Sequence, residues 1–327
     1  MTKNNKARGD GKGAPEMPSR SSYMPQLDVL RAVAIGLVML EHFGGPLVRR
    51  YFPLDPGALG VHLFFVLSGF LISSTILNSY HTRPNQPFSL LGNFYARRVL
   101  RLFPAYYLTL MVLIALGIPS ACDWSAWHAA YLSNYIIIFG GPLVVFWSLA
   151  VEEQFYLLLP AGIILSGRNR VLNLGIALVF GGILCRIAAY GLSIPKAWFE
   201  FSLAGKLELL GFGVALGSLC CSEGMRNFDW LEGPRKRNFF LAAAFTLLFQ
   251  LVVWTLEDDG PVRFLTFNIT SACFLGFLVV WCASDSPGPV KFLRAIVRSA
   301  SSAASAMAYI WCTHSCRKFL KSTPLND

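Results

Sequence analysis

The chain has 327 residues, 54% of them hydrophobic and only 14% charged, with a mean hydropathy of +0.51. A soluble domain of this size carries nearly twice that charge, and the apolar residues come in long runs, so a globular soluble protein is excluded. Membrane barrel strands alternate apolar and polar residues and these segments do not, so the fold class is all-α, a polytopic transmembrane helical bundle. The net charge of +10 comes without a basic patch interleaved with exposed aromatics, so it points to cytoplasmic loops and anionic lipid, not to nucleic acid.

Residues 1–22 are polar and basic, with Lys3, Lys6, Arg8, Lys12 and Arg20, and read as a disordered cytoplasmic tail. The apolar stretch behind it is too long for a signal peptide and has no clear cleavage site, so an uncleaved first helix is expected. Hydrophobic segments then fall near 27–48, 58–77, 102–118, 126–140, 145–165, 171–192, 203–222, 238–256, 265–283 and 299–316, each approaching the ~20 residues that span a bilayer core. About 9–10 spans are therefore expected, in one domain over 23–320 with a short tail at 321–327. The positive-inside rule puts the N-terminus and the 78–101 connection in the cytoplasm. Counting every segment then places Arg168, Arg170 and Arg235-Lys236-Arg237 outside. Removing one span between 102 and 165 restores the rule.

The first segment, "LDVLRAVAIGLVMLEHF" (27–43), carries Arg31 and His42 eleven residues apart. At 100° per residue that is about three turns, so the two share a face with Ile35 and Val38, about 16 Å apart along the axis. Such groups are costly in lipid and face a protein interior or a wet cavity. A polar channel is the expectation, with Arg31 at the cytoplasmic mouth and His42 deep, where a neutral imidazole suits a general base.

"GVHLFFVLSGFLISS" (60–74) holds His62, Ser68 and Gly69 in an apolar run, small residues of the kind that pack helices together. Ser68 is also kept as a candidate substrate contact. "FYARRVLRLFP" (94–104) puts Arg98 and Arg101 on one face, before a proline expected to start the next helix. A lipid-phosphate anchor and a clamp for a phosphorylated ligand fit these arginines equally. "WSLAVEEQFYLLLP" (147–160) places two carboxylates in a hydrophobic helix. Ser148, Glu152 and Tyr156 share a face, and Glu153 points about 100° away. Lys206 and Glu208 read as boundary charges. Most of the eight cysteines lie in or beside apolar segments and read as buried free thiols; Cys312, His314 and Cys316 do not share a helix face, and no metal is expected.

These four stretches, in this order, resemble the integral-membrane acyltransferases called acyltransferase family 3. The resemblance covers roughly the first half of the chain. It implies an enzyme that moves an acyl group, often acetyl, from cytoplasmic acyl-CoA to a hydroxyl of a carbohydrate or lipid-linked glycan at the bacterial inner membrane. It implies His42, Glu152 and Arg31 as catalytic and Arg31, Arg98 and Arg101 as donor-binding; Ser148, Tyr156 and Ser68 are the candidate substrate-binding residues beside them. The family pattern commonly has an acidic residue where this chain has His62, and the last helix, "AMAYIWCTH", departs from it with His314 displaced. A proton-coupled exporter of a small acid or glycan intermediate, using Glu152 and His42 as a relay, and a non-catalytic remnant of the family are the alternatives.

Overall fold

The structure, a computed structural model, describes residues 25–44, 55–82, 86–142, 146–221, 234–256 and 260–283. The described residues hold helices and connections but no strand. In chain order the helices are α1 (Pro25–Phe43), α2 (Pro56–Thr82), α3 (Pro87–Ala115), the short α4 (Pro119–Asp123) and α5 (Ser125–Ala129), α6 (Phe146–Ser166), α7 (Val171–Gly191), the short α8 (Lys196–Glu200), α9 (Leu207–Cys221), α10 (Pro234–Leu256) and α11 (Pro261–Ala283). Single-turn 3-10 pieces lie at Arg168–Arg170 and Ala204–Lys206, and a longer one at Ser133–Phe139. Six of the described helices open on proline, whose fixed φ and missing N–H suit the first helical turn.

Six described spans are long and apolar enough to cross a bilayer: Pro56–Tyr80, Pro87–Ala115, Phe146–Ser166, Arg168–Gly191, Ala204–Cys221 and Pro261–Ala283. Helices α1 and α10 are of similar length. The 126–140 segment does not span. It breaks at Ala130–Leu132 between α5 and a 3-10 turn, and Tyr131 takes a positive φ of 55° that no continuous helix allows. It is held sideways against α3 and α6 instead. Tyr106 donates to the His128 carbonyl at 2.8 Å, and Gln154 donates to the Tyr131 carbonyl and to Asn134, both at 2.9 Å. Tyr106 and Tyr131 stack with ring centres 4.3 Å apart. The 299–316 segment and the 1–22 tail lie outside the described residues.

Two local expectations are corrected. Pro104 does not start a helix: α3 runs unbroken from Pro87 to Ala115 with Pro104 inside it. A spanning helix tolerates an interior proline because local adjustments re-satisfy the freed carbonyl. The connection expected at 78–101 accordingly shrinks to the short link between α2 and α3, and Arg97, Arg98 and Arg101 sit within the spanning helix.

Cross-contacts fix the helix directions. Along α2 and α9, residue numbers rise together. A Cβ on Gly69 would run into the Leu210 carbonyl, and one on Gly213 into the Val66 carbonyl, while Gly217 lies against Phe70 and Ser73. These two backbones meet through glycines because in lipid the gain from association is close packing. By the same test α6 and α11 also run with α2: Trp147 meets Phe65 and Tyr156 meets Ser68, while Phe267 meets His62 and Gly276 faces Phe212. Helices α1, α3, α7 and α10 run the opposite way. Gly60 of α2 lies against Ala34 and Val38, and Gly57 against Glu41; Arg98 pairs with Glu153, Gly182 faces Glu208, and Gln250 reaches Ser271.

The four parallel helices form the inside. In an apolar 18-residue stretch of each span the buried share is 72%, 39%, 56% and 50% for α2, α6, α9 and α11, against 11% for α3 and 22% for the Arg168–Gly191 span that holds α7. All the alternations are consistent only if residues 116–142 and the α8 region share one face of the bundle with His42. The start of α1, Arg168, Arg170 and the start of α10 share the other.

Candidate functional site

The polar residues gather in two clusters at different depths. The first is at mid-depth, where α2, α3 and α6 meet. Ser68 Oγ is 2.6 Å from Tyr156 Oη, which is 3.0 Å from Glu152 Oε2. A phenol has one proton, so it serves Ser68 or Glu152 and not both at once; where Glu152 is ionised and only accepts, Tyr156 donates to Glu152 and Ser68 to Tyr156. Arg98 donates through Nε and Nη2 to Glu153 Oε1, at 3.1 and 3.0 Å, with side-chain exposures of 23% and 12%. Its guanidinium carbon lies 3.0 Å from the centre of the Tyr156 ring, a cation–π stack. Tyr95, one turn earlier on α3, donates to the Leu157 carbonyl and fixes the register of the two helices.

The structure thus brings together Ser68, Arg98, Glu152 and Tyr156, which come from three of the four sequence motifs. It adds Glu153, which helix geometry alone sets apart. Alpha-helical neighbours diverge by about 100°; here each carboxylate meets a different partner, Tyr156 for Glu152 and Arg98 for Glu153. Ser148 lies one turn before Glu152, half-buried, and Arg101 is exposed on α3.

The α1 residues stand elsewhere. Leu27, Leu30 and Ala34 are the face that packs, because small and apolar side chains let α1 close on α2. Of the Arg31–Ile35–Val38–His42 face, Val38 lies against Gly60 while Ile35 and His42 are exposed, so among the described residues this face does not line an interior channel. Arg31 pairs with Asp28 at 2.7 Å. The α1–α2 register sets Arg31 near the level of Val66, well inside the bundle, because α2 continues about ten residues past the start of α1. His42 is near the level of Pro56. Twelve residues separate that level from Ser68, about 18 Å along the axis. So His42 and Glu152 share no contact. The His42 Nδ1 lies 2.8 Å from the Val38 carbonyl. A carbonyl only accepts, so Nδ1 carries the proton and Nε2 is left as the basic nitrogen, facing out.

The second cluster lies nearer the face that carries His42. Arg186 of α7 is 1% exposed. It donates from Nε to Glu208 at 2.9 Å, from Nη1 to Glu200 at 2.5 Å and to the Phe264 carbonyl at 3.0 Å, and from Nη2 to the Gly205 carbonyl at 2.9 Å. Lys206 donates to the other oxygen of Glu200 at 2.8 Å, and Asn268 shares the Gly205 carbonyl at 2.6 Å. Two cations and two carboxylates balance in this set. Burial alone would raise the Glu200 carboxyl, but Lys206 and Arg186 beside it bring it down to about 2. Lys206 and Glu208 are thus buried members of a network and not boundary charges. Sequence reading overlooked Arg186, although a lone arginine in "GGILCRIAAYG" was the signal, since an ionisable group inside a span is functional or structural by default.

Comparison with known proteins bears on both clusters. A family profile described as an acyltransferase domain matches residues 24–314. A Staphylococcus aureus protein (strain MSSA476) named "Putative O-acetyltransferase" is 32% identical over 223 residues, 60% of this chain and 35% of that protein. The peptidoglycan O-acetyltransferase OatA of Listeria monocytogenes is 34% identical over 157 residues, 42% of this chain and 24% of its own length. A Bacillus subtilis protein named "Putative peptidoglycan O-acetyltransferase YrhL" is 34% identical over 158 residues, 42% of this chain and 23% of its own. The chain spans only about a third or less of these relatives. No solved structure matches it.

Proposed function

Because the chain belongs to acyltransferase family 3, we propose that it is a membrane-embedded O-acyltransferase. It takes an acyl group, in the first instance acetyl, from acyl-CoA and passes it to a hydroxyl of a carbohydrate. The observation that carries this reading is the convergence of Ser68, Arg98, Glu152 and Tyr156 at one depth, from three helices. Packing alone does not call for a guanidinium, two carboxylates and a hydroxyl relay in the middle of a bundle.

In this reading Arg98 and Arg101 hold the anionic donor, with the fork geometry of guanidinium suited to phosphate. Glu152 and Tyr156 orient the bound groups through their hydrogen-bonded chain. His42 is the general base. Its Nε2 takes the proton of the acceptor hydroxyl as the oxygen attacks the thioester carbonyl; the C–S bond then breaks and the thiolate leaves. The axial offset of about 18 Å between His42 and Ser68 means that donor-holding and proton-taking groups act at different levels. An extended donor would run between them.

The helix directions support an orientation with the start of α1 in the cytoplasm. Arg168, Arg170 and the basic first turn of α10 fall on that same face, in keeping with the positive-inside rule. The acceptor would then be met on the His42 face, outside the inner membrane. Relatives named for peptidoglycan O-acetylation make cell-wall glycan the first acceptor to test.

The test uses inverted membrane vesicles with labelled acetyl-CoA and mass spectrometry of glycan O-acetyl groups. His42→Ala is expected to insert normally and lose 10²–10⁴-fold in transfer, roughly what a general base contributes. Normal O-acetylation by that variant would overturn the mechanism. Substrate flux without acyl transfer would favour an exporter.

A further inference from the structure

Tyr131 stands in the break between α5 and the 3-10 turn at Ser133–Phe139, with a φ of 55°. It is 8% exposed, and its hydroxyl is a buried polar group without a hydrogen-bond partner among the described residues. A left-handed backbone is strained for a tyrosine and persists only where neighbours over-determine it. They do so here. Gln154 of α6 holds the Tyr131 carbonyl at 2.9 Å. On α3 the ring stacks against Tyr106 and Phe103, with centres 4.3 and 5.4 Å away, and meets Tyr107 edge-on at 6.1 Å. Ala150 of α6 packs in the same cluster. A phenylalanine would make all of these contacts. The hydroxyl adds the cost of burying a donor and makes no bond in return.

The seam around the ring shows where the hydroxyl can act. Phe103 lies five residues beyond Arg98 on α3, and Ala150 three residues before Glu153 on α6. The ring therefore sits beside the Arg98–Glu153 pair, on the side of the His42 face. Glu153 and Arg98 are the ionic groups that act on the Tyr131 phenol, Glu153 the more strongly. Both bonds from Arg98 go to Oε1 of Glu153, so Oε2 can take a further donor. A spare donor thus stands beside an ion pair with a spare acceptor.

In the reading above, Arg98 holds the anionic donor. Its guanidinium must then give up Glu153, and a buried carboxylate that loses its cation is costly. The groups that face Glu153 are Arg98 from α3, Tyr131 from the break after α5, and Glu152 on its own helix. Glu152 is a second carboxylate and cannot stand in for the cation. The phenol can, since a hydrogen bond from a neutral donor to an ionised oxygen is of the strong kind.

We propose that Tyr131 is a positioning residue, the replacement partner of Glu153. When the acyl donor draws Arg98 away, the phenol donates to Glu153 Oε2 and keeps that carboxylate ionised. The strained backbone and the stacked ring hold the hydroxyl ready, so the exchange needs only a small turn of the two side chains. The proposal rests on the O-acyltransferase reading and names what releases its donor-holding arginine.

The test uses the full chain, with acetyl-CoA as the kinetic probe and CoA as the binding probe. Tyr131→Phe keeps the stacked ring and is expected to keep the wild-type Tm. Its KM for acetyl-CoA is expected to rise about tenfold near neutral pH, the value of one hydrogen bond to a charged group, with kcat changed less than about twofold. The rise relative to wild type grows with pH, because Glu153 without the phenol takes up a proton as Arg98 leaves it. Binding of CoA to Tyr131→Phe should therefore take up about one proton more than binding to the wild type, read by calorimetry in buffers of different ionisation heat. Glu153→Gln needs no replacement partner, so adding Tyr131→Phe to it should leave KM where Glu153→Gln sets it. If Arg98→Met keeps the wild-type KM for acetyl-CoA, the parent reading of Arg98 falls. If Arg98→Met raises that KM and Tyr131→Phe does not, this inference falls alone. Equal proton uptake by wild type and Tyr131→Phe also overturns it. So does a full Tyr131→Phe effect on the Glu153→Gln background, which would put the phenol on the ligand itself.

Discussion

The two charged clusters are built on opposite terms. The Arg186 cluster is closed: it has as many cations as carboxylates, and its guanidinium makes four hydrogen bonds to α8, α9, α11 and the turn at Gly205. The Arg98 cluster is open: one guanidinium stands against two carboxylates and uses one oxygen of Glu153, with its other side stacked on Tyr156. A closed network joins elements. An open one leaves polar atoms with fewer partners. The difference separates an arginine matched by charges within its own cluster from one held by a single carboxylate oxygen and a tyrosine ring.

The strongest way to break the comparison is to remove each guanidinium in turn. Arg186→Leu strands the buried Glu208 carboxylate and leaves Glu200 to Lys206 alone; it is expected to cost about 3–5 kcal/mol, enough to abolish a monodisperse peak in fluorescence-detected size exclusion. Arg98→Met is expected to leave that peak in place. Its acetyl transfer should fall on the order of a hundredfold, from lost charge-assisted hydrogen bonds. If Arg98→Met unfolds and Arg186→Leu does not, the assignment is reversed. Arg98→Lys sharpens the point, since an ammonium keeps the charge and loses both the fork and the ring stack; a tenfold or greater loss in kcat/KM is expected. Next comes Tyr156→Phe, which cuts the chain from Ser68 to Glu152 and should lower transfer about tenfold, with Ser68→Ala adding little in the double variant because both act on one chain.

The smallest effect is on pH. The Glu200 carboxyl is depressed to about 2 from an ordinary 4.5. A depressed carboxylate contributes stability that is full above 4.5 and is lost as pH falls toward 2. The Tm gap between the wild type and Glu200→Gln should therefore be constant from pH 9 to 5 and close below about 4.5.

Much of this was legible in advance. The apolar runs gave the helical class, and the intramembrane carboxylates announced the mid-depth cluster. What single-helix periodicity could not give was the pairing between helices. Arg186 meets Glu200, Gly205, Glu208 and Phe264, partners that lie fourteen to seventy-eight residues away. The outward turn of the Arg31–His42 face was likewise out of reach, because it depends on which side of α1 packs best on α2. The 126–140 segment had span-like composition, and its break depends on Tyr131, whose backbone is held by stacking on Tyr106.

The parallel arrangement of the four inner helices has an electrical meaning. Their neighbours α1, α3, α7 and α10 run the opposite way, so the peptide dipoles cancel over the bundle as a whole. Close to the face that carries His42, α2, α6, α9 and α11 still each present about half a positive charge from the N–H groups of their first turn. Glu208 sits in the first turn of α9. A negative charge on that face would feel these helix starts only within about a turn of them.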